Sequence, residues 1–187
     1  GDWVAVELRP NEGSATIHGV LPRKSKFSRK AAGGRMDEQL MAANFDYVFI
    51  VTSLNNDLNL RRLERYLTIA WESGGLPVII LTKADLCSNK MQLIQKVKEN
   101  APGAFVCAVS AITGEGLDEI NQYTEKGKTI VFMGSSGVGK STLLNKLAGE
   151  EIMRVNDIRH NDGKGRHTTT HRQLVLLPSG CMVIDTP

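Results

Sequence analysis

Apolar residues along this chain keep two alternating rhythms. Residues 47–52, Tyr-Val-Phe-Ile-Val-Thr, form a short unbroken run, the pattern of a strand buried on both faces. Residues 58–73 then place Leu60, Leu63, Tyr66, Leu67 and Ala70 at helical spacing, and the pattern stops at Gly74-Gly75. The alternation continues with strand 77–82, helix 91–98, strand 105–109, helix 117–123, strand 129–133 and helix 143–148. Strands separated by single helices predict an α/β fold: a mostly parallel sheet flanked by helices, with right-handed crossovers. Such sheets bind ligands at the carboxyl ends of their strands. The two ends of the chain read differently. Residues 3–8 and 15–21 read as two strands turned by Pro10-Asn11-Glu12-Gly13, and 173–177 with 181–184 as a hairpin turned by Pro178-Ser179-Gly180. Two strands alone are marginal in water, so the first pair is expected to need partners from residues upstream.

The loops after the strands carry the chemistry. Between strand 129–133 and the next helix stands Gly134-Ser135-Ser136-Gly137-Val138-Gly139-Lys140-Ser141-Thr142, a glycine-rich loop placed where a phosphate-binding loop must lie. Its glycines let backbone N–H groups converge on phosphate oxygens, Lys140 reaches the β and γ oxygens, and the Ser141 hydroxyl can ligate Mg²⁺. The bland alternative, a plain glycine turn, is disfavoured by the strand and helix on either side.

Strand 77–82 runs into Thr82-Lys83-Ala84-Asp85. A carboxylate at Asp85 can accept from the N1–H and exocyclic amine of guanine, whereas adenine offers it a lone pair and lacks that amine. Discrimination of this type can reach ~10⁴-fold when a buried polar site goes unpaired. Lys83 can lay its alkyl stem along the base with its ammonium in water. After the next strand, Ser110-Ala111 could bring the Ala111 N–H to the guanine O6. The competing reading makes 82–85 a polar loop with Asp85 as a helix N-cap.

Residues 156–172 are rich in Asp, Asn, Gly and Lys without apolar periodicity, and read as a mobile loop. A threonine hydroxyl on such a loop can complete Mg²⁺ coordination while a γ-phosphate holds it, which makes an order-disorder switch. The residues do not distinguish Thr168, Thr169 and Thr170; Thr169 is the one favoured. Asp185, after the last apolar run, stands where phosphate-loop enzymes place an aspartate that supports Mg²⁺. His160, His167 and His171 fall close together but without a compact Cys or carboxylate set, so a metal cluster is disfavoured and a solvated loop histidine is the plain reading of His167.

Composition narrows the picture a little. With 187 residues, 41% hydrophobic and 23% charged, the chain can bury one α/β core plus a small appendage. No apolar run approaches the ~20 residues that span a bilayer. Gly1-Asp2-Trp3-Val4 shows neither an initiator Met nor a signal-peptide pattern, and the chain is expected to be cut from inside a longer protein. Cys87, Cys107 and Cys181 lie far apart without Cys-x-x-Cys spacing, which points to a reducing, cytosolic compartment. A net charge of +3 says little, but Arg23, Lys24, Lys26, Arg29, Lys30 and Arg35 run together around Phe27 without an acidic residue. A small β-barrel flanked by such a segment is what an oligonucleotide-binding (OB) fold offers to RNA; a solvated basic linker is the alternative.

In an ordinary GTPase the phosphate loop precedes the guanine motif; here residues 82–85 and 110–111 precede 134–142, the threonines and Asp185. With this order, and with Gly165-Arg166-His167-Thr168-Thr169-Thr170, nearly the whole chain resembles the RsgA (YjeQ) family of bacterial GTPases dependent on the small ribosomal subunit. The resemblance implies a circularly permuted phosphate-loop GTPase domain over 36–187, truncated in switch II, after a partial OB-type barrel and basic linker over 1–35. It implies GTP and GDP with Mg²⁺ as ligands, and Zn²⁺ only in a C-terminal domain not included in this sequence. It further implies GTP hydrolysis stimulated by the small ribosomal subunit, a role in that subunit's late maturation, contact with its rRNA, no membrane, and a cytoplasmic monomer. His167 would orient the attacking water, since the family has an apolar residue where other GTPases place a glutamine. Two departures bear on this. Thr82 stands where Asn is more common, which is expected to weaken one contact between the guanine motif and the phosphate loop. The chain also stops before the glycine expected after Pro187, so the segment is expected to bind nucleotide and hydrolyse it poorly. A permuted GTPase acting on the large subunit, and an RNA-binding module with a structural nucleotide, stay open beside this reading.

Overall fold

The computed structural model describes residues 1–9, 12–30, 38–54, 58–153 and 173–185. In chain order the strands are β1 (Val4–Arg9), β2 (Ser14–Val20), β3 (Lys26–Lys30), β4 (Glu38–Ala43), β5 (Tyr47–Ser53), β6 (Leu76–Thr82), β7 (Phe105–Ala108), β8 (Thr129–Met133), β9 (Gln173–Leu176) and β10 (Met182–Asp185). The helices are α1 (Leu60–Glu72), α2 (Lys90–Asn100), α3 (Leu117–Asn121) and α4 (Lys140–Ala148). Strands β5 to β10 build one sheet in the order β7-β6-β5-β8-β10-β9, parallel throughout except that β9 runs against β10.

The continuous apolar runs become the inner strands because both faces of this sheet are covered. Along β5, Phe49 and Val51 point to one side with Val78, Ile80, Ile130 and Phe132, where Ile120 of α3 and Leu143 and Leu144 of α4 pack on them. Val48 and Ile50 point to the other side with Ile79 and Leu81, against Leu63, Leu67 and Ala70 of α1 and Val97 of α2. The crossovers β5-α1-β6-α2-β7 thus use one face and the return through α3 to β8 the other, as right-handed connections require. Helix α1 starts at Asn59, whose side chain accepts from the Arg62 N–H at 3.0 Å, and ends before the glycine pair predicted to stop it.

Two findings revise the reading of the first 45 residues. The basic stretch expected to be a linker contains β3, which pairs antiparallel with β4, a hairpin the apolar pattern did not announce. Phe27, read as an aromatic available to RNA, is buried and stacked on Phe45 with ring centroids 4.8 Å apart. Ser25 clamps the same place: its Oγ donates to the Phe45 carbonyl at 2.6 Å, and the Phe45 N–H donates to that Oγ at 2.8 Å. By contrast, β1 and β2 form a separate two-stranded sheet as expected, and Val4, Val6, Leu8, Ile17 and Val20 lie exposed on it.

Candidate functional site

Four loops predicted to carry the chemistry meet at one edge of the six-stranded sheet, because each leaves the carboxyl end of a parallel strand. Residues 82–85 follow β6, 110–111 follow β7, 134–142 follow β8, and Asp185 ends β10. The chain steps outward from β5 to β6 and β7, then crosses back to lay β8 on the far side of β5, so the order reverses between β5 and β8. A crevice at such a reversal is where ligands of open α/β sheets bind.

The 134–142 loop lies over the β5–β8 boundary. A Cβ on Gly134 would stand 2.3 Å from the Val51 carbonyl oxygen of β5, so only glycine lets the loop leave β8 so close to its neighbour. Gly139, with φ +97°, ends the loop and starts α4, whose first turn holds no acidic residue. The unpaired amides and dipole of that helix end therefore favour an anion. Lys140 folds back across the loop, and its Nζ donates to the carbonyls of Gly134 and Ser135, both at 2.8 Å. Burial holds the Lys140 ammonium below its usual pKa, while the Asp185 carboxylate pulls it back up.

Asp185 is the counterpart. It is 7% exposed, burial raises its carboxyl above the usual carboxylate range against the pull of Lys140, and its Oδ1 is buried with no hydrogen-bond partner among the described residues. An unpaired buried acceptor costs ~1–3 kcal/mol, so the position suits a group that arrives with a ligand. The Asp185 carboxylate at the end of β10 and the Ser141 hydroxyl in the first turn of α4 are hard oxygen donors, the kind that Mg²⁺ takes alongside phosphate oxygens and water.

The guanine-type motif is joined directly to this loop. The Thr82 Oγ1 donates to the Val138 carbonyl at 2.5 Å, with the Thr52 carbonyl at 3.3 Å as the poorer acceptor. The contact expected to suffer from threonine at position 82 is therefore made, by a hydroxyl. Lys83 Nζ donates to the Gly137 carbonyl at 3.1 Å in an exposed bond, so the loop holds the ammonium at the surface. Lys83 also takes the left-handed backbone, φ +58°, and turns the chain into a 3-10 turn at Ala84–Leu86. Asp85 lies exposed on that turn, and among the described residues nothing bonds its carboxylate. It caps no helix: α2 begins at Lys90, behind Asn89.

Ser110 is fully buried. Its Oγ accepts from the Thr113 N–H at 3.1 Å, its carbonyl accepts from the Gly114 N–H at 2.9 Å, and its own N–H donates to the Glu115 carbonyl at 2.9 Å. These bonds set the turn that presents Ala111. Gly116 closes it at φ +72°, where a Cβ would lie 2.1 Å from the Ala108 carbonyl oxygen. This part of the site was missed in the sequence, although Gly-Glu-Gly at 114–116 carried a turn signal.

The structure thus assembles Thr82, Lys83, Ala84, Asp85, Ser110, Ala111, the 134–142 loop and Asp185. His167 and Thr169, with Thr168 and Thr170, lie outside the described residues. Among the described residues no group of three His, Cys, Asp or Glu side chains could hold a metal ion. Cys107 and Cys181 are free and buried, and burial pushes their thiols up to about 11 and about 12.

The profile described as "RsgA GTPase" matches residues 20–187. The small ribosomal subunit biogenesis GTPase RsgA 2 of Lactiplantibacillus plantarum is 51% identical over 187 residues, covering 100% of this chain and 53% of that protein. The small ribosomal subunit biogenesis GTPase RsgA of Methanosarcina acetivorans is 49% identical, with 51% of its length covered. The chain thus spans about half the length of these curated relatives. Among solved structures, YjeQ from Thermotoga maritima aligns with TM-score 0.72 at 29% identity, covering 100% of this chain and 59% of that one. The circularly permuted GTPase YloQ aligns with TM-score 0.66 at 25% identity, covering 100% of this chain and 56% of that one.

Proposed function

The chain belongs to the RsgA GTPase family, and from that premise we propose that its protein binds GTP and GDP at the β5–β8 crevice, hydrolyses GTP, and acts in late maturation of the small ribosomal subunit. The observation that carries the nucleotide reading is the pair of bonds from Thr82 and Lys83 to Val138 and Gly137. They tie a base-reading loop to a phosphate-holding loop that the chain supplies in the reverse of the usual order.

In this reading the amides of 134–142 and the Lys140 ammonium take the phosphates, Asp85 takes the N1–H and amine of guanine, and the Ala111 N–H takes its O6. Ser141, Thr169 and Asp185 hold Mg²⁺, which when bound draws negative charge from the phosphate oxygens. His167 orients a water whose oxygen bonds to the γ-phosphorus as the bond to the bridging oxygen of GDP breaks, releasing GDP and phosphate. Lys140 leaves the Gly134 and Ser135 carbonyls for the phosphate oxygens, exchanging neutral acceptors for charged ones.

The relatives' names supply the partner, and we extend it here to contact with small-subunit rRNA by a cytoplasmic monomer. Within the two-part division at 35/36, the β1–β2 sheet and the basic residues after it face RNA, while hairpin β3–β4 crosses that division. No helix among the described residues is long and apolar enough to cross a membrane. The test is GTP turnover by the full-length protein with and without small ribosomal subunits. A rise with small but not large subunits is expected; equal turnover in both conditions overturns the proposal, and GTP binding without turnover favours an RNA-binding module.

A further inference from the structure

Asp85 and Ala111 sit on different loops, and a base can be gripped between them only if the loops keep their spacing. The loops are joined on the inner side, where the Ala84 N–H donates to the Val109 carbonyl at 3.1 Å. They are joined again on the outer side, where the Lys90 ammonium donates to the Glu115 carboxylate. Between these cross-links the chain passes through Asp85 in one loop and Ala111 in the other, so both base-reading positions lie within one closed ring. Each anchor is fixed locally. Lys90 opens α2, and Glu115 is pinned by its own carbonyl, which accepts from the Ser110 N–H, and by the forced turn at Gly116.

We propose that the Lys90–Glu115 ion pair is a clasp that holds the 110–116 turn at its working distance from the 82–85 turn and so slows nucleotide release. The inference rests on the nucleotide reading above, and deepens it by adding two positioning residues that do not touch the base. With side chains 31% and 46% exposed, the pair is partly solvated, which limits its effect to about three-fold in rate and makes it sensitive to salt.

The test uses the full-length protein with Lys90→Ala, Glu115→Ala, both together, and the reversed pair Lys90→Glu with Glu115→Lys. Each single change should speed GDP release about three-fold, the double change should be no faster than either single one, and the reversed pair should recover most of the loss. High salt should bring the unmutated protein toward the single variants. Unchanged release in the single variants, or a double variant that multiplies their effects, overturns the clasp. A second readout needs no nucleotide. Lys90→Ala should speed amide hydrogen exchange across 111–116 while leaving the midpoint of global unfolding in place; unaltered exchange there also overturns it. Should the unmutated protein bind no guanine nucleotide, the functional reading fails by itself, and hydrogen exchange still decides the clasp.

Discussion

Asp185 and Lys140 are two opposite charges kept mostly from water before any ligand arrives, and the carboxylate has an oxygen that nothing among the described residues satisfies. Burial raises the Asp185 carboxyl above its ordinary value of 3.8, so the folded protein holds that proton more tightly than the unfolded chain. The contribution to stability is therefore present below 3.8 and is lost as pH rises through the raised value. Lys140 runs the other way: the fold disfavours its ammonium, and the penalty grows as pH falls from 10.5 through the lowered value. At neutral pH the nucleotide-free protein carries both costs. Asp185→Asn is predicted to stabilise that form by about 1 kcal/mol at neutral pH and to flatten its stability in the acid range above 3.8, while weakening Mg²⁺-dependent GTP binding. Urea unfolding across pH, paired with a binding titration, checks both halves; a variant less stable than its parent at neutral pH contradicts the account.

Hairpin β3–β4 shows where the sequence stopped being legible. Strands β5, β6 and β8 were read almost to the residue because both faces of each are buried, so an unbroken apolar run marks them. Strand β3 is Lys-Phe-Ser-Arg-Lys, with one apolar residue, and no rhythm separates that from a solvated basic linker. What makes it a strand is tertiary: Phe27 docks on Phe45, and the Lys26 N–H donates to the Ser73 carbonyl at the end of α1. Phe27→Ala is accordingly predicted to cost about 3 kcal/mol of folding stability, since it empties a buried aromatic site. If Phe27 instead stacked on RNA, the variant would keep its unfolding midpoint and lose RNA retention. Chemical denaturation and a filter-binding measurement on the same sample separate the two.

At the scale of the whole molecule, circular permutation costs the site nothing, because a doubly wound sheet delivers every loop after a parallel strand to the same edge whatever the order of the strands in the chain. That is why glycines, a lysine and an aspartate could be placed at that edge from sequence, whereas the hydroxyl bridge from Thr82 to Val138 could not: it joins residues 56 apart through backbone and appears only when β6 and β8 flank β5. The reach of that bridge sets a test of the assembled site. A nucleotide gripped at both ends binds only the folded state, and at a hundred-fold excess over its Kd it adds about 2.7 kcal/mol of stability. GDP with Mg²⁺ is predicted to raise the thermal midpoint while ADP leaves it near the nucleotide-free value. In Asp85→Asn the side-chain amide faces the guanine N1–H and amine with a donor, so the shift with GDP should shrink. Xanthosine diphosphate, which offers a carbonyl oxygen in place of that amine, should restore it. If GDP and ADP raise the midpoint equally, or Asp85→Asn weakens every nucleotide alike, the base is not read at position 85 and the two motifs do not share one ligand.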